Sequence, residues 1–406
     1  MDYPKLFVCL PILNESENLG QLIKCLNNQS YSNFEIIACV NQPEEWWNTD
    51  EHIAKCQDNQ LSIEILQRKY SFPVLILDKS SRNLGWNLKQ KGVGWARKLS
   101  MDKAATLGSD ADLILSIDAD TEYPADYFRS VIEIFLKNPK TVGLSNPYYH
   151  KLTENKEINR HILRYEIYMR NYAINMLLID NPYHFTALGS AMATSIESYK
   201  RVGGLSPKSS GEDFYFLQKL KKFGHLSHWN NTMAFPATRY SDRVNFGTGP
   251  ALIKACKGDW TSYPIYHYSQ FQNVQKTYAL FPELYKKDLT TPMTNFLHYQ
   301  LRNPNLWQAL RNNYKTEIQF VSACKTQVDG LRILQYLKLN SSGEEKAQGF
   351  KLAENLAYFK NNSGNYDLNI NSLTQNLDLR NYESLIEIRE KLVKFEYYLR
   401  KNKANL

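Results

Sequence analysis

The run Leu113-Ile114-Leu115-Ser116-Ile117-Asp118-Ala119-Asp120-Thr121 decides how this chain is read. Its apolar residues show no helical period, so they read as a short buried strand. The strand stops at two acids with one small residue between them. On an extended chain alternate residues face one side, so Asp118 and Asp120 are expected to point together into the crevice beyond the strand's carboxyl end. Two carboxylates there suit a hard divalent cation that keeps open positions for phosphate oxygens. Pro124 is then expected to start a helix in which Phe128, Val131, Ile132 and Phe135 fall at i, i+3, i+4 and i+7. Strand, acid pair and helix is the layout of a nucleotide-diphosphate site; solvated turn acids are the plain alternative.

Working outward, Leu6 to Ile12 predicts a strand, and Asn14-Glu15-Ser16-Glu17 supplies helix-start chemistry before Leu19, Leu22, Ile23 and Leu26. Phe34 to Val40 predicts a second strand ending at Asn41, and Val74 to Leu77 a third. A helix is expected from Gly92 to about Leu107. Strands alternating with helices predict a mostly parallel, doubly wound sheet with ligands beyond the carboxyl ends of its strands. Asn14, Asn41, Asp118 and Asp120 all fall at such ends. Further on, residues 156–178 read as a long helix, and Gly189-Ser190-Ala191 as small residues that a backbone or ligand can approach. Glu212-Asp213 opens a helix to about Phe223, His225 to Trp229 reads as a strand, and Pro236 to Gly249 as a loop. From about residue 265 the strand signals fade, and Leu331–Leu337 and Leu385–Leu399 look helical.

The chain of 406 residues is 43% hydrophobic, which supports a sizeable core and allows more than one domain. Its net charge of +8 is uneven: residues 251–406 hold 21 Lys and Arg against 14 Asp and Glu. A near-neutral module over residues 1–255 and a basic, mainly helical one over 256–406 are therefore expected. A solvated helical surface explains the excess plainly; an anionic lipid or polyanionic acceptor is the other reading, and no nucleic acid is expected. No apolar run approaches the 18 or so residues of a spanning helix, and no secretory signal is visible. The six cysteines show no C-x-x-C spacing. A reducing cytoplasm is expected, with possible peripheral contact at the inner face of the plasma membrane.

Four stretches together resemble family 2 glycosyltransferases of the GT-A fold. They are Pro11-Ile12-Leu13-Asn14-Glu15, Gly94-Trp95-Ala96-Arg97, Asp118-Ala119-Asp120 and Gly211-Glu212-Asp213, in the family's order over about residues 4–250. The resemblance implies sugar transfer from a nucleotide diphosphate donor of UDP or GDP type to a glycan or glycolipid acceptor, with Mn2+ or Mg2+. Asp120 would bind the ion, with Asp118 near the ribose or the same ion, and Asp213 would be the general base of an inverting reaction. Pro11, Asn14, Glu15, Ala119, Gly189 and Glu212 would line the donor site. Arg97 would reach the diphosphate or merely solvate its helix.

Two departures stand out. The family's second strand usually ends in an acidic pair, whereas here Val40-Asn41 occupies it; Asn41 still offers a donor and an acceptor to a base edge. The later Q-x-x-R-W signature is missing, which argues against a processive polysaccharide synthase. Arg239 and Arg243 are candidates to clamp the diphosphate, and His225 or His228 to complete a metal shell. The expected acceptor is a cell-envelope or surface-glycan precursor. Three rivals remain: a retaining transferase in which Asp213 orients the acceptor, a nucleotidyltransferase, and a non-catalytic member that binds a partner.

Overall fold

A computed structural model describes residues 3–87, 89–208, 210–241, 247–261, 263–339, 345–370 and 377–404. Seven strands form one sheet: β1 (Leu6–Ile12), β2 (Phe34–Asn41), β3 (Val74–Lys79), β4 (Leu113–Ser116), β6 (Thr141–Ser145), β7 (Met192–Ser195) and β8 (His225–Ser227). Their order is β3-β2-β1-β4-β7-β6-β8. All neighbours are parallel except β7, which runs antiparallel to both β4 and β6. The sheet is thus doubly wound and mostly parallel, as the alternation of strands and helices predicts. β1 is buried along its whole length, which suits a central strand covered on both faces. Its even residues Leu6, Val8, Leu10 and Ile12 join one core cluster with Leu19, Leu22 and Leu26 of α1 (Ser16–Asn27). That cluster also takes Phe128, Val131, Ile132 and Phe135 from α4 (Tyr127–Lys137), at the spacing the sequence predicts. Each such fully buried side chain contributes roughly 1.5–3 kcal/mol.

Helix α4 begins at Tyr127 and not at Pro124: the Tyr127 N–H bonds the Pro124 carbonyl at 2.9 Å, so the proline opens the turn that leads in. Pro11 lies inside β1, beside Cys39 of β2. A proline is tolerated there because β4 has ended: its last register partner, Ser116, lies opposite Cys9. Helix α3 (Val93–Leu107) covers the other face of β1 and β2, while α2 (Asp50–Leu66) packs on β2 and β3. From β1 the chain goes on to β2 on one flank and from β4 to β6 on the other, so the carboxyl ends of these adjacent strands form the switch-point crevice of such sheets. A second, two-stranded ladder joins β5 (Thr121–Glu122) to β9 (Phe235–Pro236), antiparallel, with Thr121 opposite Pro236.

By contacts the chain divides into two compact units. The first holds Met1–Ile162, Phe185–Ile253 and Lys403–Leu406; the second holds Leu163–His184 and Lys254–Asn402. The second is helical, from Tyr268–Ala279 to Tyr382–Ala404. It contains a buried ionic ladder. Glu166 accepts from Arg170 at 2.6 Å and from Arg389 at 2.9 Å, and Glu396 accepts from Arg170 at 2.7 Å and Arg400 at 2.8 Å. Among the described residues the cysteines are free, and no helix is long and apolar enough to cross a membrane.

Candidate active site

At the switch-point crevice the acids are arranged by two arginines. Arg97 projects from α3 and is 2% exposed. Its Nε donates to Ser116 Oγ at 2.9 Å and its Nη2 to Asp118 Oδ1 at 2.7 Å, while Nη1 donates to Glu212 Oε1. Burial opposes its charge, but Asp118, Glu212 and Asp213 outweigh burial and raise its pKa further. One guanidinium therefore ties the end of β4 to the first turn of α7 (Glu212–Phe223). Gly189 makes room for it: a Cβ there would lie 2.5 Å from Arg97 Nη2 and 2.6 Å from Cζ. Gly94 likewise admits the backbone of Lys208, in the segment leading to α7.

Glu212 is buried, and burial pushes its carboxyl up to about 7; Arg97 pulls it down, and neighbouring Asp213 pushes it up again. Asp213 is partly exposed in the same first turn, with its Oδ1 accepting the Phe214 N–H at 2.7 Å. Gly211 precedes them in the left-handed region, at φ 77°, which favours glycine.

Arg239, just past β9, holds the other acid. Its Nε donates to Asp120 Oδ2 at 2.7 Å and its Nη2 to Glu15 Oε1 at 2.6 Å. Glu15 is buried at the end of β1 and also accepts from Asn18. Asn14 carries a left-handed φ of 55°, and its N–H is fixed by Asn59 Oδ1 at 2.8 Å. Asn59 in turn donates to Gln42 Oε1 at 2.8 Å. Asparagine adopts this left-handed region more readily than other non-glycine residues, so the turn after β1 is held at little cost.

Several expectations change. Asp118 and Asp120 are not carried on an extended chain: a turn, with the Thr121 N–H bonding the Asp118 carbonyl at 3.3 Å, follows the strand, so alternation does not set their directions. Each acid takes its own arginine. Arg97 neither lies open to a diphosphate nor solvates its helix, because it is buried and its three nitrogens face three acceptors. Gly189 abuts that arginine and Glu212 is its ion-pair partner, so both stand behind the crevice wall. Pro11 and Ala119 are buried, which leaves them backbone contacts at most. Arg243 lies outside the described residues.

His225 pairs with Thr141 at the amino end of β6, the wrong end of the sheet for a metal shell. Among the described residues no group of three His, Cys, Asp or Glu could hold an ion. A Mg2+ or Mn2+ ion that comes with a diphosphate needs only one or two carboxylates, and Asp118 and Asp120 offer hard oxygens of that kind. The residues fit such an ion.

Asn41 Nδ2 donates to the Ile12 carbonyl at 2.8 Å, while its buried Oδ1 has no hydrogen-bond partner among the described residues. The buried indole N–H of Trp86 has none either. Trp86 exchanges backbone bonds with Gln42 and Glu44, just beyond β2. Sequence reasoning missed the pairing of Glu15 with Arg239 and the part played by Ser116, whose only signal was one hydroxyl in an apolar strand.

No protein-family profile matches the chain, and neither does any curated protein. Solved structures are similar in chain path. Residues 1–349 of TarS from S. aureus, in complex with UDP-GlcNAc, share 10% identity over 98% of this chain and 91% of that one, with a TM-score of 0.42. The mannosyltransferase PcManGT from Pyrobaculum calidifontis, with GDP-Man and Mn2+, shares 12% over 97% and 86%, with a TM-score of 0.36. GalNAc-T7 with UDP, GalNAc and Mn2+ shares 12% over 79% and 56%, with a TM-score of 0.37. Each is a likeness of coarse architecture, and no activity passes from it to this chain.

Proposed function

We propose that this chain is a metal-dependent, inverting glycosyltransferase of the GT-A type, moving a sugar from a nucleotide diphosphate to a cell-envelope or surface-glycan acceptor. The observation that supports it most is the Arg97 bridge. It brings the Asp118-Ala119-Asp120 turn and the Glu212-Asp213 helix start to one crevice, at the point where nucleotides bind in doubly wound sheets. Asn41, buried at the end of β2 and tied to the Ile12 carbonyl, would support the donor pocket from behind and not meet the base edge. Asp120, with Asp118 beside it, would hold Mn2+ or Mg2+ against the diphosphate. Once bound, that ion neutralises charge developing on the leaving group.

Asp213 would accept the proton of the acceptor hydroxyl as its oxygen attacks the anomeric carbon from the face opposite the diphosphate. Arg97 holds Glu212 still, and so fixes the turn that carries Asp213. The partly exposed Asp213 and the buried Glu212 divide the work: one meets the acceptor, the other anchors the wall. The basic helical region would serve the acceptor or a membrane surface, a role supported by its charge excess.

The test is a thermal-shift panel of UDP and GDP sugars with Mn2+ or Mg2+. A ligand at about a hundred times its dissociation constant should stabilise the fold by roughly 2.7 kcal/mol. Asp120→Ala should remove the metal-dependent part of that shift while the protein stays folded, with a lower starting temperature from the lost Arg239 ion pair. A folded Asp120→Ala protein with the full Mn2+-dependent shift would refute the assignment.

A further inference from the structure

Arg239 occupies the acid on which the proposed donor site depends. Its side chain is 27% exposed, against 19% for Asp120 and 7% for Glu15, so the guanidinium is set into the crevice. It reaches both Asp120 Oδ2 and Glu15 Oε1 with the same Nη2, at 2.6 Å each. The contact is built into the fold. The β5–β9 ladder places the chain just before Arg239 beside the residues that follow Asp120, and Thr238 is tied to the Lys151 carbonyl at 2.8 Å. Asp120 and Glu15 together raise the arginine's pKa in spite of burial, which disfavours its charge. A buried carboxylate such as Glu15 is costly without a cation, and Arg239 supplies one.

We propose that Arg239 is an exchangeable counter-ion: it covers Asp120 against metal alone, and exchanges that contact for the diphosphate when the donor arrives, while its bond to Glu15 stays. The inference rests on the donor site proposed above and adds an order of events to it. A guanidinium fork matches phosphate oxygens as well as carboxylate oxygens, and a diphosphate offers it more negative charge than one carboxylate. Moving the arginine onto phosphate uncovers Asp120 at the moment when an ion has diphosphate oxygens to complete its shell. Metal and donor then enter as a unit, and free metal ions compete with a tethered cation. Arg239 is in this sense a positioning residue, acting on the reaction through Asp120.

The test measures binding. Mn2+ alone is titrated into wild type and Arg239→Ala, with free ion followed by electron paramagnetic resonance. Removing the tethered cation should tighten Mn2+ binding by about tenfold, within the usual 5–150-fold range of coupling between sites. The gain should vanish in Arg239→Ala/Asp120→Ala. Inorganic pyrophosphate, titrated in metal-free buffer, should bind Arg239→Ala more weakly than wild type by a similar factor.

Arg239→Lys keeps a charge without the fork and serves if the alanine variant does not fold; its Mn2+ affinity should lie above that of wild type. Unchanged or weaker Mn2+ binding in the folded variants, or a gain that survives loss of Asp120, overturns the proposal, as does undiminished pyrophosphate binding. Both titrations read Arg239 without a sugar donor. A chain that binds no nucleotide sugar but shows the Mn2+ and pyrophosphate effects would therefore sink the transferase reading and leave the counter-ion exchange standing.

Discussion

Gly189 and Arg97 are in direct van der Waals opposition: the α-carbon of one lies where only a hydrogen fits above the guanidinium of the other, since a Cβ would come within 2.5 Å of Nη2. The arginine cannot give way cheaply, because Ser116, Asp118 and Glu212 hold it from the other sides. Gly189→Ala is accordingly expected to cost about 1–3 kcal/mol of stability, the scale of overpacking a filled interior. Urea unfolding measures it. A neutral effect would mean that the guanidinium can shift freely, and the bridge between β4 and α7 would lose its claim to rigidity.

Asp213→Asn keeps size and hydrogen bonding but cannot take a proton. Donor and metal binding are expected to stay normal while transfer slows by about a hundredfold or more, the contribution of a positioned base. The product formed by wild type should show inverted anomeric configuration by NMR. Retention, or near-normal turnover in the variant, would move Asp213 from proton acceptor to acceptor-orienting group.

The pH dependence should carry the mark of Glu212. Its carboxyl is raised from 4.5 to about 7, chiefly by burial. As pH falls through about 7 it gains a proton, its bond from Arg97 weakens, and kcat/KM should drop; Glu212→Gln should flatten that limb. Stability runs the other way. The fold binds this proton more tightly than the unfolded chain does, so the group's contribution is full below about 4.5 and is lost as pH rises through about 7. Activity and this part of stability should therefore move in opposite directions between those values, which paired rate and denaturation profiles would reveal.

Where hydrophobic period and burial coincide, the sequence was readable: β1, α1, α3, α4, α5 (Lys156–Leu178) and α7 lie within a few residues of the positions their spacing predicts. Helix α2 carries no legible period, and the reason is chemical. The buried residues along it are Cys56, Asn59, Ser62 and Leu66, and a polar inner face hides the period. Strand β7 escaped because four residues are too few to show alternation, and its antiparallel course depends on neighbours far away in sequence.

The acids themselves were legible as types, but their partners were not. Arg239 meets Glu15 across 224 positions and Arg97 meets Glu212 across 115, and no local pattern encodes such pairings. The alternation rule failed at Asp118 and Asp120 because it holds only while the chain stays extended, and here the strand had already ended at Ser116.

The ionic ladder of the second unit has a consequence for how the chain comes to be folded in a cell. Glu166 and Arg170 find Arg389 and Glu396 only 223 and 226 residues downstream. At a synthesis rate of about 5–20 residues per second, the early half of the ladder waits roughly eleven to forty-five seconds for its late half to be made. Through that interval the two side chains can satisfy each other as an i,i+4 pair on one helix, joined at 2.6 Å. A nascent segment able to neutralise itself is less exposed to wrong partners while its distant ones are still being translated.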